Sequence, residues 1–224
     1  MQSAFKLLNF ASVIKFMRIK KFLGLIISVL LVIGCKTTFH LTPEQQQILL
    51  THRTVSILPP KIIFDDMDTS NEKENDYEKK EAYFFQNQFQ NILERKMNKY
   101  TVIFQDISKT NILLDNEGIG FNDLYNKDKA ELGKIFGTDA IIMDTIHKYK
   151  PVMTYVPPTN MYYSGYYVYR TTVEINAGIY NSIDGKLLWH GTRYISENSN
   201  TYTIEQMGME LIDDVCNQLP YKRK

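Results

Sequence analysis

The sequence has few of the residues that build disulfide scaffolds or metal centres. It contains only two cysteines, Cys35 and Cys216, among 224 residues, and a disulfide framework needs more pairs than this. The four histidines form no recognised metal-ligand spacing with Cys, Asp or Glu. They are His40, His52, His147 and His190. We therefore predict no structural metal and no cofactor, and we expect Cys216 to act as a small apolar residue on a helix.

Catalytic motifs are also missing. No Gly-x-Ser-x-Gly sequence occurs, and Gly118-Ile119-Gly120 lacks the third glycine of a dinucleotide-binding loop. The adjacent acids Asp65–Asp66 and Asp213–Asp214 do not suggest an acid/base pair, because neighbours on a helix or strand do not face each other. The sequence thus predicts a protein that is not an enzyme.

The chain after residue 34 has no excess of positive charge. Residues 1–34 contain five basic side chains and no acid; the remainder has 21 basic and 25 acidic side chains, a net charge of −4. Nucleic-acid binding requires clustered positive charge. Nucleic acid is therefore excluded as the expected partner.

The N-terminus has the pattern of an export signal. Arg18-Ile19-Lys20-Lys21 precedes the uncharged apolar run Phe22–Gly34, and a basic start followed by a short apolar run is typical of a signal peptide. The run is shorter than the roughly 20 residues that span a bilayer as a helix. We predict a signal peptide over residues 1–34, with translation beginning at Met17.

The end of this run resembles the lipobox of bacterial lipoproteins. Val32-Ile33-Gly34-Cys35 has the small residue and the cysteine of that motif, although Val32 stands where Leu is usual. The resemblance implies cleavage before Cys35, a diacylglycerol on its thiol and a further acyl chain on its amine. Several acyl chains anchor a protein firmly, whereas one does so only marginally. Because Lys36 stands where an Asp would favour the inner membrane, we expect an outer-membrane lipoprotein that faces the periplasm.

The mature chain reads as a lipidated N-terminus and tether over residues 35–50, followed by one α/β domain over residues 51–220. Thr42 and Pro43 predict a helix start within the tether. An acidic run contains Asp66, Asp68 and Ser70 at calcium-ligand spacing, but Asn71 and Tyr77 stand where a calcium loop needs Gly and Glu, so we interpret it as a solvated loop.

The domain alternates strands and helices. Predicted strands cover 54–60, 100–104, 139–146, 166–180 and 186–195, and predicted helices cover 78–98, 126–136 and 203–219. Residues 108–120 have no regular pattern. In the longest strand Val173, Ile175 and Ala177 alternate with polar residues, which is typical of a strand with one wet face. We predict an α/β (α+β) fold with a single mixed sheet of about five strands and helices packed on it.

A tyrosine-rich stretch from Tyr155 to Tyr169 is the most unusual feature. We expect the prolines in residues 151–165 to shape a surface loop. Tyrosine combines a large apolar area with a polar tip, which suits contacts with proteins or lipid headgroups. The candidate partner-binding residues are Tyr155, Tyr162, Tyr163 and Tyr166. The alternative is that about half of these rings pack on the sheet.

Three segments resemble a group of bacterial envelope proteins. They are Val55–Pro59, Leu132–Ile142 and Ser182–Trp189. The group contains the curli secretion lipoprotein CsgG, the penicillin-binding-protein activator LpoB and domains like the amino-terminal part of TolB. The resemblance implies a fold and a mostly non-enzymatic role in the envelope.

Three functions follow as hypotheses. The first is a lipid-anchored adaptor or scaffold that binds another envelope protein. The second is an oligomeric, CsgG-like outer-membrane secretion component, in which Ile141–Lys150 and Tyr166–Tyr180 extend into a membrane hairpin; Pro151, Pro157 and Pro158 fit that less well than a loop. The third is an envelope hydrolase, which would need a pocket joining His147 or His190 to a carboxylate. The sequence leaves the oligomeric state open.

Overall fold

The structure is a computed structural model that describes residues 41–65 and 72–223. The signal peptide and Cys35 lie outside the described residues, as do Asp66, Asp68 and Ser70. Six α-helices and seven strands are described, and none of these helices is long and apolar enough to cross a membrane. In chain order they are α1 (Pro43–Thr51), β1 (Thr54–Ile57), β2 (Lys61–Phe64), α2 (Glu72–Arg95), β3 (Ile103–Phe104), α3 (Ile107–Asn116), α4 (Phe121–Leu124), α5 (Lys129–Phe136), β4 (Ala140–Lys148), β5 (Val152–Val156), β6 (Tyr166–Asn181), β7 (Leu187–Asn198) and α6 (Ile204–Cys216).

The strands form one mixed sheet, which confirms the predicted α+β class. β4 pairs in parallel with β1 and β2 on one side and antiparallel with β6 on the other. β3 extends the sheet beyond β1, and β7 extends it beyond β6. β5 pairs with the start of β6, directly beyond the part of β6 that β4 covers. The longest strands therefore reach past the central part of the sheet.

Helices cover both faces of the central sheet. On one face, Val173, Ile175 and Ala177 of β6 are fully buried in a core that includes side chains of α2 and α6. On the other face, Ile141 packs in a smaller core with Leu132 and Phe136 of α5. The predicted alternation along β6 is confirmed, since its core-facing residues are inaccessible to water over this region.

Local signals set the helix ends. Thr42 is the N-cap of α1 and forms a capping box with Gln45, and Pro43 takes the first turn, as the sequence predicted. Thr203 caps α6 in the same way. Gly137 ends α5 with φ of 62°, a left-handed conformation that glycine adopts without steric cost.

Three parts of the predicted layout are wrong. The segment 108–120 was expected to have no regular pattern, but α3 occupies most of it and is capped by Asp106. The first strand ends at Ile57, before Pro59 and Pro60, and the chain rejoins β4 as β2 with one extra residue relative to β4. Proline lacks the N–H that a ladder needs and is found at such bulges. The expected loop over 151–165 begins with strand β5.

Candidate functional site

The tyrosine-rich segment forms a β-hairpin. β5 pairs with Tyr166–Arg170 in regular antiparallel register, from Val152 opposite Arg170 to Val156 opposite Tyr166. Residues 157–165 connect the two strands, and we call them the tip. Of the three prolines in residues 151–165, Pro151 precedes β5, and Pro157 and Pro158 lie in the tip. None of them removes a hydrogen bond from the paired strands. The hairpin is therefore a built structural element, not an irregular loop.

The hairpin presents uncharged side chains to solvent. No Asp, Glu, Lys or Arg occurs from Pro151 to Tyr169. Large side chains that monomeric proteins usually bury are exposed along it. These are Val152, Met153, Tyr155, Met161, Tyr162, Tyr163, Tyr166, Tyr167 and Tyr169. An exposed apolar patch of this kind makes the hairpin a candidate interaction surface.

One face of the hairpin carries an ordered aromatic cluster, which we call the tyrosine face. It consists of Met153 and Tyr155 of β5 opposite Tyr169 and Tyr167 of β6. The rings of Tyr155 and Tyr167 have centroids 5.2 Å apart, within the range of favourable aromatic pairs. Tyr155 also packs over Gly165, where a β-carbon would lie 2.0 Å from its hydroxyl oxygen. The glycine thus allows this ring to lie flat on the hairpin.

The structure separates the four predicted partner-binding tyrosines. Tyr155 belongs to the tyrosine face. Tyr166 pairs with Val156 and points to the opposite face, because side chains alternate along a strand. Tyr162 and Tyr163 lie in the tip. They are all exposed, but they form a surface around the hairpin and not a single cluster.

Sequence reasoning missed Tyr167 and Tyr169 as surface residues. Their position in the alternation is that of the buried Val173 and Ile175, so the pattern groups them with the core. They are exposed because the hairpin extends beyond the helix-covered part of this face. Thr171, which is buried and lies within hydrogen-bond distance of Ser199, marks the boundary. The absence of charged residues from Pro151 to Tyr169 is the sequence signal that could have identified them.

A histidine and a carboxylate do meet, but on the surface. His147 Nε2 lies 2.6 Å from Asp65 Oδ1, and the His147 ring lies against Tyr149 with centroids 4.0 Å apart. The hydrogen bond from His147 lowers the pKa of Asp65. Both side chains are partly exposed. His190 does not take part in this contact, because it lies on β7 and pairs with Gly178 of β6. The two side chains form an exposed hydrogen-bonded pair, which does not supply the enclosed site that the hydrolase hypothesis requires.

The core contains one unusual acid, Asp144. It lies on β4 opposite Ala177, on the face that carries Ile142 and Ile146, and it is 3% exposed. Its Oδ1 atom has no hydrogen-bond partner among the described residues. Burial raises the pKa of Asp144 to about 8, and a hydrogen bond from the backbone of Gly178 opposes this increase. The carboxyl is therefore largely protonated in the folded protein below that pH.

The remaining candidate groups have structural roles. His52 Nδ1 lies 2.8 Å from the Tyr221 hydroxyl, and burial lowers the pKa of His52. Cys216 is a free, fully buried cysteine on α6, as predicted, and burial raises the pKa of its thiol. In residues 41–65 and 72–223, no cluster of three or more His, Cys, Asp or Glu side chains could hold a metal ion.

Solved structures with a similar arrangement come from several bacteria. Lipoprotein GNA1162 from Neisseria meningitidis is 20% identical in a match that covers 74% of this chain and 95% of that one, with a TM-score of 0.45. The PelC dodecamer from Paraburkholderia phytofirmans is 10% identical, with coverages of 77% and 90% and a TM-score of 0.40. The C-terminal domain of LpoB from Escherichia coli is 9% identical, with coverages of 69% and 94% and a TM-score of 0.35.

These similarities are weak. Each TM-score is below 0.5 and each identity is below 25%, so they assign no function to this chain. The similar structures include a lipoprotein and also LpoB, which belongs to the envelope group that the three sequence segments resemble. No protein-family model matches the sequence, and no curated protein matches it.

Proposed function

We propose that this protein is a lipid-anchored, non-enzymatic adaptor of the bacterial cell envelope. In this account the chain is exported, cut before Cys35 and held on the outer membrane by acyl chains on that cysteine. The folded domain then binds another envelope protein through the hairpin. The observation that carries the proposal is the uncharged, exposed hairpin between Pro151 and Tyr169.

The hairpin has the properties of a protein-binding surface. The centres of protein interfaces are depleted in charged residues and enriched in tyrosine and methionine. The hairpin has the same composition, with Met153, Tyr155 and Tyr167 exposed and no charged residue between Pro151 and Tyr169. Tyrosine loses little conformational entropy on binding, because it has only two side-chain torsions. The pairing of β5 with β6 fixes these rings in advance, which lowers the ordering cost of association.

The adaptor proposal is tested with variants of the tyrosine face. The double variant Tyr155→Ser/Tyr167→Ser removes the paired rings, and the matched control is Ile183→Ser, which changes an 83% exposed side chain in the turn between β6 and β7. The partner is recovered by crosslinking in intact cells and identified by mass spectrometry. We expect the double variant to lose recovery of that protein and the control to keep it, with equal circular dichroism spectra. Equal recovery by both variants would exclude the tyrosine face.

An oligomeric secretion component is the alternative function. The observation that favours it is the hairpin itself, since its two strands extend beyond the central sheet and carry no charge from Val152 to Val156 and from Tyr166 to Tyr169. Its paired part covers five residues on each strand, from Val152 to Val156 and from Tyr166 to Arg170, whereas a membrane-spanning strand needs about 9–11 residues. The adaptor therefore remains the preferred proposal. The native mass of the detergent-extracted protein distinguishes the two, since a ring of many subunits would support the alternative.

A further inference from the structure

The tip of the hairpin differs from its strands. Met161, Tyr162 and Tyr163 are consecutive and are 92%, 88% and 68% exposed. Side chains this exposed have little contact with the rest of the described chain, so no pocket of this protein surrounds them. Exposed apolar side chains cost free energy in water unless another surface covers them.

We propose that the tip enters the headgroup layer of the membrane, which gives the lipid-anchored domain a second point of attachment. This inference rests on the proposed function and refines it: Tyr162 and Tyr163 contact lipid, while Tyr155 and the tyrosine face remain available to the protein partner. The tip would thereby orient the sheet on the membrane surface.

The residue types of the tip fit the boundary between lipid and water. Tyrosine is enriched at membrane interfaces, because its ring enters the apolar layer while its hydroxyl stays with water and headgroups. Residues 157–165 contain no charge that would need to be desolvated. The flanking prolines Pro157 and Pro158 also remove two backbone N–H donors from the segment. Each of these features lowers the cost of entering the headgroup layer.

The charged residues that flank the hairpin in sequence are basic, which suits an anionic lipid surface. The first charged residues met on leaving the uncharged segment are Lys150 on one side and Arg170 on the other, and both are cationic. Positive side chains near a membrane surface are attracted to anionic lipids. Two acids lie near the base of the hairpin: the Asp65 carboxylate accepts a hydrogen bond from the Lys150 backbone N–H, and Glu197 lies opposite Thr171, one residue farther from the tip than Arg170. The charge pattern therefore favours a lipid surface that contains anionic headgroups.

The anchor keeps the domain close to this surface. Residues 35–42 connect Cys35 to the first turn of α1, and a fully extended chain of that length spans about 25 Å. Gln45 of α1 donates a hydrogen bond to the Leu187 carbonyl, so the tether joins the domain at the end of the β6–β7 pair that lies away from the tip. The tip therefore reaches the same bilayer when the sheet lies along the membrane surface, and the anchor raises the effective concentration of the tip there.

The experiment places a fluorescent label at the tip. The variant Tyr162→Cys is labelled with an environment-sensitive fluorophore in the full mature protein, and Ile183→Cys is the matched control at an 83% exposed site in the β6–β7 turn. Cys216 does not interfere, because it is fully buried. Both proteins are reconstituted in vesicles of phosphatidylethanolamine and phosphatidylglycerol, with and without a nitroxide lipid that quenches the label.

We expect a blue shift and at least threefold quenching of the label at residue 162, and neither effect at residue 183. Adding Met161→Ser and Tyr163→Ser to the Tyr162→Cys protein should reduce the quenching by at least half. A label at residue 162 that stays in water, or equal quenching at both sites, would overturn the inference. Response in phosphatidylcholine vesicles as strong as in anionic ones would exclude the role of Lys150 and Arg170.

The two proposals fail in different ways. If Cys35 is acylated but the label at residue 162 remains in water, the membrane-bound adaptor stands and the tip proposal is wrong. If Cys35 carries no acyl chain, the proposed function is wrong, and the label at residue 162 is then read in a mature chain that also carries Cys35→Ser, added to the same vesicles. Quenching in that case shows that the tip binds lipid without an anchor.

Discussion

The ring of Tyr155 lies over Gly165, in the space that a β-carbon on residue 165 would occupy. The two residues are diagonal neighbours across the hairpin, since Tyr155 pairs with Tyr167. This packing holds the Tyr155 ring against the Tyr167 ring. The glycine is thus a structural requirement of the tyrosine face.

Replacing Gly165 with alanine should therefore loosen the hairpin. The added β-carbon would lie 2.0 Å from the Tyr155 hydroxyl, and we expect a cost of about 1 kcal/mol as the exposed ring moves aside. Hydrogen exchange of the Val152–Val156 amides measures this loss of local stability. In a Tyr155→Ala background the same substitution should have less than half the effect. An equal effect in both backgrounds would show that the contact does not constrain the hairpin.

Asp144 should make stability depend on pH in an identifiable way. Its pKa is raised to about 8 in the folded protein from an ordinary value of about 4 in the unfolded chain. The free energy of unfolding that this group contributes is fully present below about pH 4 and is lost as the pH rises through 8. Asp144→Asn removes the titration, so the variant should gain stability relative to the wild type as the pH increases.

Urea unfolding at pH 5, 7 and 9 measures this difference. We expect the stability of Asp144→Asn minus that of the wild type to increase over this range, by roughly 4 kcal/mol at most. The difference between the two proteins cancels titrations that they share. A difference that stays constant from pH 5 to 9 would mean that Asp144 is not buried as described.

Gly133 should resist replacement although it lies within helix α5. Alanine in a helix interior is favoured over glycine by about 1 kcal/mol. Here, however, a β-carbon would lie 2.6 Å from the backbone Cα of Ser182, which cannot move aside as a flexible side chain can. We expect Gly133→Ala to destabilise the protein by about 1–2 kcal/mol, because overpacking outweighs the helix propensity. A higher melting temperature for the variant would contradict this packing of α5 against residue 182.

Periodicity in the sequence predicted the elements that have a clear apolar face. The stripe of Ala82, Phe85 and Phe89 marked α2, and the alternation of Val173 and Ile175 marked β6. β5 was not predicted, because Val152–Val156 lies between prolines and has few polar residues to alternate with. It becomes a strand through its pairing with β6, a long-range contact that local pattern does not encode.

The candidate site was predicted in part. Residue type alone identified Tyr155, Tyr162, Tyr163 and Tyr166 as unusual, and all four are exposed. Alternation shows which side chains share a face of a strand, but not where the covering helices end. Tyr169 and Val173 have the same position in the pattern, yet the first is exposed and the second is buried. That distinction depends on the layer of helices packed on the sheet, and so on the complete fold.

The measurement that tests the central claim most directly is the mass of the full-length protein extracted from membranes in mild detergent and then denatured. The account predicts a chain that begins at Cys35, with a diacylglycerol and a further acyl chain on that residue. A chain that retains residues 22–34 and carries no acyl group would contradict it, because the apolar run would then be neither a cleaved signal nor a lipidation site.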